Sequence, residues 1–350
     1  MTWHECTLGD VVKLQRGHDL PDRLRVDGPV PIISSSGITG RHNVARAEPP
    51  GVITGRYGTI GEVFYVDEPY WPLNTALYVV DFKGNDPRYT AYLLRNTLKN
   101  YRTEKAAVPG VDRNVLHLLK VKSTDLQQQK RIVFILSAYD DLIENNRRRI
   151  AFLEKAARLL YREWFVSFRY PSYEHSKGFA GLPGGWSKVR VSDVLELKYG
   201  KALTEEDRQE GPFPVYGSSG QVGTHTSALT RGPSIVIGRK GNVGSVHWVA
   251  PDFWPIDTVY FVPTERCDYW LYMAIPSAGF MNTDAGVPGL NRDFAYSRKL
   301  TLPSDRIRRL YNETVGPMFE QVRVLETYNA KLAQARDLLL PRLMSGEIAA

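Results

Sequence analysis

The side chains that could do chemistry fall short of a catalytic set. Asp67 and Asp81-x-Lys83 have the carboxylate and lysine spacing of a magnesium-dependent nuclease, in which acids hold the ion and a cation steadies developing charge. The pattern is loose. A second copy of the region, set out below, carries Ala250, Thr264 and Arg266 at the same places, so a chance match is the better reading. Gly55-x-x-Gly58-x-x-Gly61 lacks the spacing of a dinucleotide loop, and Gly217 through Thr224 lacks the lysine of a phosphate loop. Turns between strands explain both. Phe179-Ala180-Gly181-Leu182-Pro183 begins like a methyl-donor loop, but Pro183 stands where a second glycine belongs. Glu48-Pro49-Pro50-Gly51 lacks the Asn or Asp, and the aromatic, of an amino-methyltransferase site. The seven histidines have no metal-ligand spacing, and Cys6 and Cys267 form neither a CxxC pair nor a disulfide framework.

What remains is duplicated. Laying each residue over the one 183 positions later aligns Trp3 with Trp186, Gly17 with Gly200, and Ser35-Ser36-Gly37-x-x-Gly40-x-His42 with Ser218-Ser219-Gly220-x-x-Gly223-x-His225. Gly55-Arg56-x-Gly58 meets Gly238-Arg239-x-Gly241, and Trp71-Pro72-x-x-Thr75 meets Trp254-Pro255-x-x-Thr258. From position 3 to 79, 27 of 77 aligned residues are identical, far beyond chance for this composition. After a four-residue slip the offset becomes 179, and Val108-Pro109-Gly110-x-x-Arg113 meets Val287-Pro288-Gly289-x-x-Arg292. A repeat of this kind changes the meaning of every motif inside it.

Each copy must build the same elements to position these residues. Short β-branched and aromatic runs, Val30 to Ile33, Gly61 to Val66, Leu77 to Phe82, Pro214 to Tyr216, Ser234 to Ile237 and Thr258 to Val262, predict strands joined by tight turns. Pro87 to Tyr101 and Asp268 to Ala278 predict short helices. From about Asp125 to Val166, Gly and Pro vanish and apolar residues recur in a 4-3 spacing: Leu136, Ile143, Ile150, Ala157 and Trp164 on one seam, Ile132, Tyr139, Asn146, Leu153 and Leu160 on the other. The second copy repeats this with Val315, Val322, Asn329, Arg336 and Leu343, and with Tyr311, Met318, Leu325, Leu332 and Leu339. Gly316-Pro317 is expected to kink or break the first turns of that helix, and Pro341 to disturb its end.

The reading is an α+β fold of two pseudo-symmetric globular domains separated by two long antiparallel coiled-coil helices. Its boundaries are 1–124 for the first globule, 125–166 for the first helix, 167–185 for a Pro/Gly/Ser-rich linker, 186–303 for the second globule and 304–350 for the second helix. Helices packing each on its own globule are the alternative, but a stripe of some 40 residues spans roughly 60 Å and outruns such a globule. The chain has no secretory or membrane-spanning segment, which points to the cytoplasm. A formal charge of +7 and a pI near 9.2 favour a polyanionic partner.

At this point the chain resembles the DNA-specificity subunits of type I restriction-modification systems. The resemblance rests on Gln128-Gln129-Lys130-Arg131-Ile132, Asp140-Asp141-Leu142-Ile143-Glu144-Asn145-Asn146, Tyr161-Arg162-Glu163-Trp164-Phe165-Val166, Leu182-Pro183-x-Gly185-Trp186 and the stretch from Leu339 to Ile348. It implies two target-recognition domains, each reading one half of a split duplex DNA sequence, with the long helices docking modification subunits. It also implies a chain that catalyses nothing itself. S-adenosylmethionine, ATP and Mg2+ would belong to the partner modification and restriction subunits, and adenine would be the modified base.

In that frame, residues identical in both copies hold the fold or touch the uniform phosphate backbone. The backbone candidates are Ser36, His42, Arg56 and Arg113 with Ser219, His225, Arg239 and Arg292; the arginines could instead close salt bridges within their own domains. Polar residues that differ beside identical turns are candidates for base reading: Arg16 against Tyr199, His18 against Lys201, Arg41 against Thr224, Asn43 against Thr226 and Tyr57 against Lys240. Helix pairing is assigned to Leu136, Ile143, Ile150, Leu153, Leu160, Trp164, Val322, Leu325, Leu332, Leu339 and Leu343. Arg147-Arg148-Arg149 fits a solvated or partner-facing helix surface. The competing reading is a duplicated protein-interaction scaffold without sequence readout, and a diverged enzyme stands third.

Overall fold

A computed structural model describes residues 3–56, 61–99, 101, 110–173, 181–283 and 289–350. In chain order the first copy folds as β1 (His4–Thr7), α1 (Leu8–Val11), β2 (Lys13–Arg16), β3 (Val30–Ser34), β4 (Gly37–His42), β5 (Gly51–Gly55), β6 (Val63–Val66), β7 (Trp71–Pro72), β8 (Ala76–Asp81), α2 (Pro87–Leu98), α3 (Arg113–His117) and β9 (Lys120–Ser123). The first long helix, α4 (Leu126–Tyr161), ends in a π-helical turn over Arg162–Val166. The second copy repeats the order as β10 (Ser187–Arg190), α5 (Val191–Val194), β11 (Lys198–Tyr199), β12 (Phe213–Gly217), β13 (Gly220–His225), β14 (Ser234–Gly238), β15 (Val246–Val249), β16 (Trp254–Pro255), β17 (Val259–Val262), α6 (Tyr269–Ala274), α7 (Arg292–Ser297) and β18 (Lys299–Leu302). It is followed by the second long helix, α8 (Asp305–Ser345).

The sheets repeat strand for strand. The orders β2-β8-β5-β6, β4-β3-β7 and β1-β9 of the first copy recur as β11-β17-β14-β15, β13-β12-β16 and β10-β18. Even the irregularity recurs: the β3–β4 hairpin shifts register between Ile32 and Ile33, and the β12–β13 hairpin shifts between Val215 and Tyr216. Matched apolar positions explain this, because Ile32 and Val215 are both fully buried. A one-residue slip would turn such side chains to solvent.

Met1–Asn145 with Tyr328–Ala350 makes one compact unit, and Asn146–Thr327 makes the other. Each unit therefore takes in part of both long helices. In the first, Ile132 and Leu136 of α4 share a core with Leu340, Leu343 and Met344 of α8 and with Leu8, Tyr89 and Leu93 of the globule. In the second, Ala157, Trp164 and Phe165 share a core with Ile307, Tyr311, Val315 and Phe319. The start of one helix meets the end of the other in each case, which is antiparallel pairing. Leu136, Ile143, Trp164, Val322, Leu325 and Leu343 of the assigned seam are buried, and Ile150, Leu153, Leu160, Leu332 and Leu339 are half-buried. Each fully buried aliphatic side chain contributes roughly 2 kcal/mol.

The expected break at Gly316-Pro317 does not occur. Helix α8 runs without a break from Asp305 to Ser345 through Gly316-Pro317 and Pro341. A proline inside a helix costs about 3 kcal/mol in a lost hydrogen bond and a clash. Pro317 lies on the exposed side, whereas Tyr311, Val315, Phe319 and Val322 around it are buried and offset that cost several times over. Gly316 is close enough to Tyr269 that an added Cβ would sit 3.7 Å from the ring, so a small residue suits this contact.

Polar groups lock the helices at defined heights. In the first unit the Tyr92 hydroxyl donates to Asp140 at 2.7 Å, and Arg336 of α8 donates to the other carboxylate oxygen at 2.5 Å. Arg95 stands 3.6 Å from the same carboxylate. Asp140→Ala would leave Arg336 half-buried without this partner and is expected to destabilise the first unit by about 2–3 kcal/mol. Denaturant unfolding should register that loss, and a change under 0.5 kcal/mol would contradict the locking role.

Candidate nucleic-acid interface

In the second unit, residues far apart in sequence meet at one end of the β11-β17-β14 sheet. Tyr199 closes β11 opposite Tyr260 of β17. Arg239 follows β14; its backbone N–H donates to Thr258 O at 2.9 Å and its guanidinium donates to Asp257 O at 2.9 Å. Arg292 opens α7, which Asn291 caps by accepting from the N–H groups of Asp293 and Phe294. The two guanidinium groups, Arg239 at 5.1 Å and Arg292 at 5.0 Å, both stack on the ring of Tyr199. Arg239 also lies 5.8 Å from the ring of Tyr260, which donates its hydroxyl to Leu290 O at 3.0 Å. Burial, with Tyr199 beside it, pushes the Tyr260 phenol up to about 12, so it stays a neutral hydrogen-bond donor near neutral pH.

The edge is cationic and aromatic at once. Tyr199 is 48% exposed, so the stack is open to solvent. Lys240 adjoins it, its N–H also bound to Thr258 O and its backbone bridged to Gly289.

The first unit builds the same frame with a different side chain. Arg16 ends β2 opposite Leu77, Arg56 N–H donates to Thr75 O at 2.9 Å, and Val111 N–H donates to Arg56 O at 2.8 Å. Arg113 opens α3 behind its Asp112 cap. Arg16 thus replaces the stacking tyrosine, and its 3.7 Å pair with Asp19 is exposed and weak. Tyr57 lies outside the described residues.

A tryptophan joins this edge to the neighbouring hairpin in both units. Trp71 donates its indole N–H to His18 O at 3.4 Å and packs edge-on against His42 at 5.3 Å; Trp254 donates to Lys201 O at 3.0 Å and packs against His225 at 5.4 Å. His42 is buried, accepting from or donating to the backbone of Val26, and His225 accepts from Gln209 N–H at 3.2 Å. In both histidines Nδ1 serves the fold. Gly17 and Gly200 recur because a Cβ there would lie 2.1 and 2.0 Å from the carbonyl oxygens of Leu73 and Ile256.

The remaining candidates lie around this frame. Ser36 and Ser219 are exposed at the hairpin turns, Ser36 bonding Ser34 through its N–H and hydroxyl. Arg41 and Asn43 are exposed, and Arg41 donates to Pro29 O. Thr224 is half-buried, its hydroxyl accepting from Gly211 N–H, while Thr226 is exposed. Lys201 is exposed; His18 is half-buried, 3.3 Å from the Tyr78 hydroxyl. Sequence reasoning missed Trp71, Trp254 and Tyr260 as organisers. The recurrence of the tryptophans was the available signal for two of them.

Among the described residues no group of three His, Cys, Asp or Glu side chains could hold a metal ion, and no helix is long and apolar enough to cross a membrane. The arrangement can bind an anionic polymer and offers hydrogen-bonding side chains beside the cations.

Comparison with known proteins bears on which polymer. Residues 1–155 match the family described as "Type I restriction modification DNA specificity domain". The chain is 22% identical over 325 residues to the type I restriction enzyme MjaIX specificity subunit of Methanocaldococcus jannaschii, covering 83% of this chain and 75% of that protein. It is 21% identical over 332 residues to the HindI specificity subunit of Haemophilus influenzae, covering 69% and 71%. The crystal structure of a type I restriction-modification S subunit from M. genitalium superposes with a TM-score of 0.58 at 17% identity, over 98% of this chain and 96% of that one. The fold is therefore a duplicated α+β architecture shared with that S subunit. Over most of its length the chain is similar to DNA-specificity subunits of type I restriction-modification systems, and its residues 1–155 match the specificity-domain family itself.

The stack makes a testable demand. Tyr199→Ala would remove the ring on which both guanidinium groups stack and is expected to weaken duplex binding about tenfold, since two exposed cation–π contacts sum to roughly 1–2 kcal/mol. Tyr199→Phe keeps the ring and should bind within about twofold of wild type in an electrophoretic or fluorescence titration. Equal losses in both variants would mean that the hydroxyl, not the stack, matters.

Proposed function

We propose that this chain reads a bipartite duplex DNA target, one part per globule, and docks modification and restriction subunits that supply S-adenosylmethionine, ATP and Mg2+. The observation carrying this reading is one backbone frame used twice with different side chains at its open edge. Arg56 with Arg239 and Arg113 with Arg292 recur, as contacts to a sequence-independent phosphate backbone require. Arg16 against Tyr199 differs, as two different half-sites require. Arg41 against Thr224 and Asn43 against Thr226 extend the contrast along the hairpin.

The exposed face of α4, with Phe134 and Phe152 among its residues, is available for docking modification subunits. The chain itself does no methyl transfer or cleavage in this account, and its place of action is the cytoplasm.

Selection from random duplex DNA tests the reading. The chain assembled with its modification subunits should retain two short sequences separated by a constant gap. An assembled complex that enriches no sequence would contradict the proposal and leave the scaffold reading in its place.

A further inference from the structure

A cleft of about 330 Å³ in the first unit lies between α1, β2, the turn after β8 and α3, lined by Lys13, Lys83, Arg113, Asn114 and His117 beside Gly9. Its three cations come from three separate segments: Lys13 begins β2, Lys83 follows β8, and Arg113 opens α3. Among the described residues no carboxylate lines it. Three charged acids flank it in sequence: Asp10 accepts from the N–H and hydroxyl of Thr7, Asp81, which faces Lys13 across the strands, accepts from Lys83 N–H, and Asp112 accepts from Asn114 N–H.

The walls are built closely. Gly9 abuts α3, where an added Cβ would come within 3.1 Å of the Cβ and carbonyl oxygen of His117. Lys83 holds a left-handed backbone, φ +49°, and its ammonium donates to Gly9 O. His117 Nε2 accepts from Leu14 N–H at 2.9 Å, which leaves Nδ1 of the neutral ring as a donor. Burial, then Lys83 and Arg113, hold the imidazole below its ordinary range, so both cations are felt at the same ring.

The second copy shows that the fold does not need this charge. Tyr296 stands in place of His117, and its hydroxyl accepts from Leu197 N–H at 2.9 Å, the counterpart of the Leu14 contact. Glu196 replaces Lys13, Asp293 replaces Asn114, and Arg266 and Arg292 replace Lys83 and Arg113. The structural task is kept while the lining changes from three cations to two cations with two acids; of the flanking acids, Asp10 recurs as Asp193, and Thr264 and Asn291 replace Asp81 and Asp112. Three cations lining one cleft repel one another, and an anion seated among them relieves that repulsion.

We propose that this cleft is a binding site for a phosphate group, held by Lys13, Lys83 and Arg113, and that the group is a backbone phosphate of bound duplex DNA. The source rests on the DNA-reading proposal above. Arg113 stands two residues after Val111, whose N–H is bound to Arg56 O, so the cleft adjoins the edge that carries Arg56. The first globule would then hold the duplex at a phosphate that the second globule does not grip in the same way.

The test uses the full chain assembled with its modification subunits, carrying Lys13→Gln with Lys83→Asn; asparagine tolerates the left-handed backbone at position 83. Titration of non-specific duplex across a salt series should show about tenfold weaker binding at low salt. The slope of log K against log salt should become shallower by about one, the value for one lost phosphate contact. Lys83→Arg, which carries the residue of the second copy, should bind as wild type. A second arm follows thermal unfolding in inorganic phosphate against chloride at equal ionic strength, where phosphate should raise the wild-type midpoint but not that of the double variant. Phosphate protection with an unchanged DNA slope would overturn the DNA assignment in favour of a free phosphate compound. An unchanged slope without phosphate protection would overturn the site. Failure of the wild-type complex to bind any duplex would fall on the DNA-reading proposal, and the phosphate arm alone would then judge the cleft.

Discussion

Burial of the apolar seams on two long helices is the constraint on which the rest depends. Helices of 36 and 41 residues carry their stripes over roughly 50–60 Å, and such stripes cannot be left in water. Antiparallel pairing brings the end of one helix to the start of the other, and each globule adds its own apolar face to that junction. In the first unit Leu340 and Leu343 join Ile132 and Leu136; in the second Tyr311 and Val315 join Ala157 and Trp164. The hydroxyl of Tyr311 donates to Ala157 O at 3.0 Å, tying the two helices by a buried bond. The buried Asn146 within an otherwise apolar seam favours one register over its neighbours.

Each globule is then keyed to the first turns of the helix that follows it, by different chemistry in the two copies. Gln129 of α4 accepts from Asp86 N–H and donates to Asn85, gripping the residue that caps α2. At the equivalent place Arg308 of α8 pairs with Asp268, the cap of α6, at 2.6 Å, and Asn312 donates to the same carboxylate. Drift has changed the partners and kept the joint. The same division holds at the sheet edge that carries Arg56 and Arg239: backbone contacts through Thr75 and Thr258 are common to both copies, and Arg16 in one stands where Tyr199 stands in the other. Geometry is under the stricter constraint because it serves both the core and the surface.

Most of the architecture was legible in the sequence because it is written in short-range periodicity. The 4-3 spacing located both long helices, and β-branched runs between glycines located β3, β8, β12, β14 and β17 within a residue or two. The uninterrupted passage of α8 through Pro317 was not legible, since it depends on how much apolar surface the surrounding turns bury. The packing of His42 and His225 was hidden likewise, since a recurring histidine beside a turn gives no sign that Trp71 and Trp254 lie edge-on against it. The Arg239–Tyr199–Arg292 stack joins segments separated by 40 to 93 positions, and the cleft of Lys13, Lys83 and Arg113 joins three more. Such sites arise from sheet topology, and local pattern carries no trace of them. Duplication supplied the list of candidates without saying which ones converge.

The central claim is that each globule carries its own half of the specificity. Replacing residues 186–303 with a second copy of residues 1–124 tests it most directly, with the recovered target read by selection from random duplex in the assembled complex. The account predicts a target containing the first half-site sequence twice, with the second half-site gone. Recovery of the original two-part target, or of only one half-site with no second element, would contradict it.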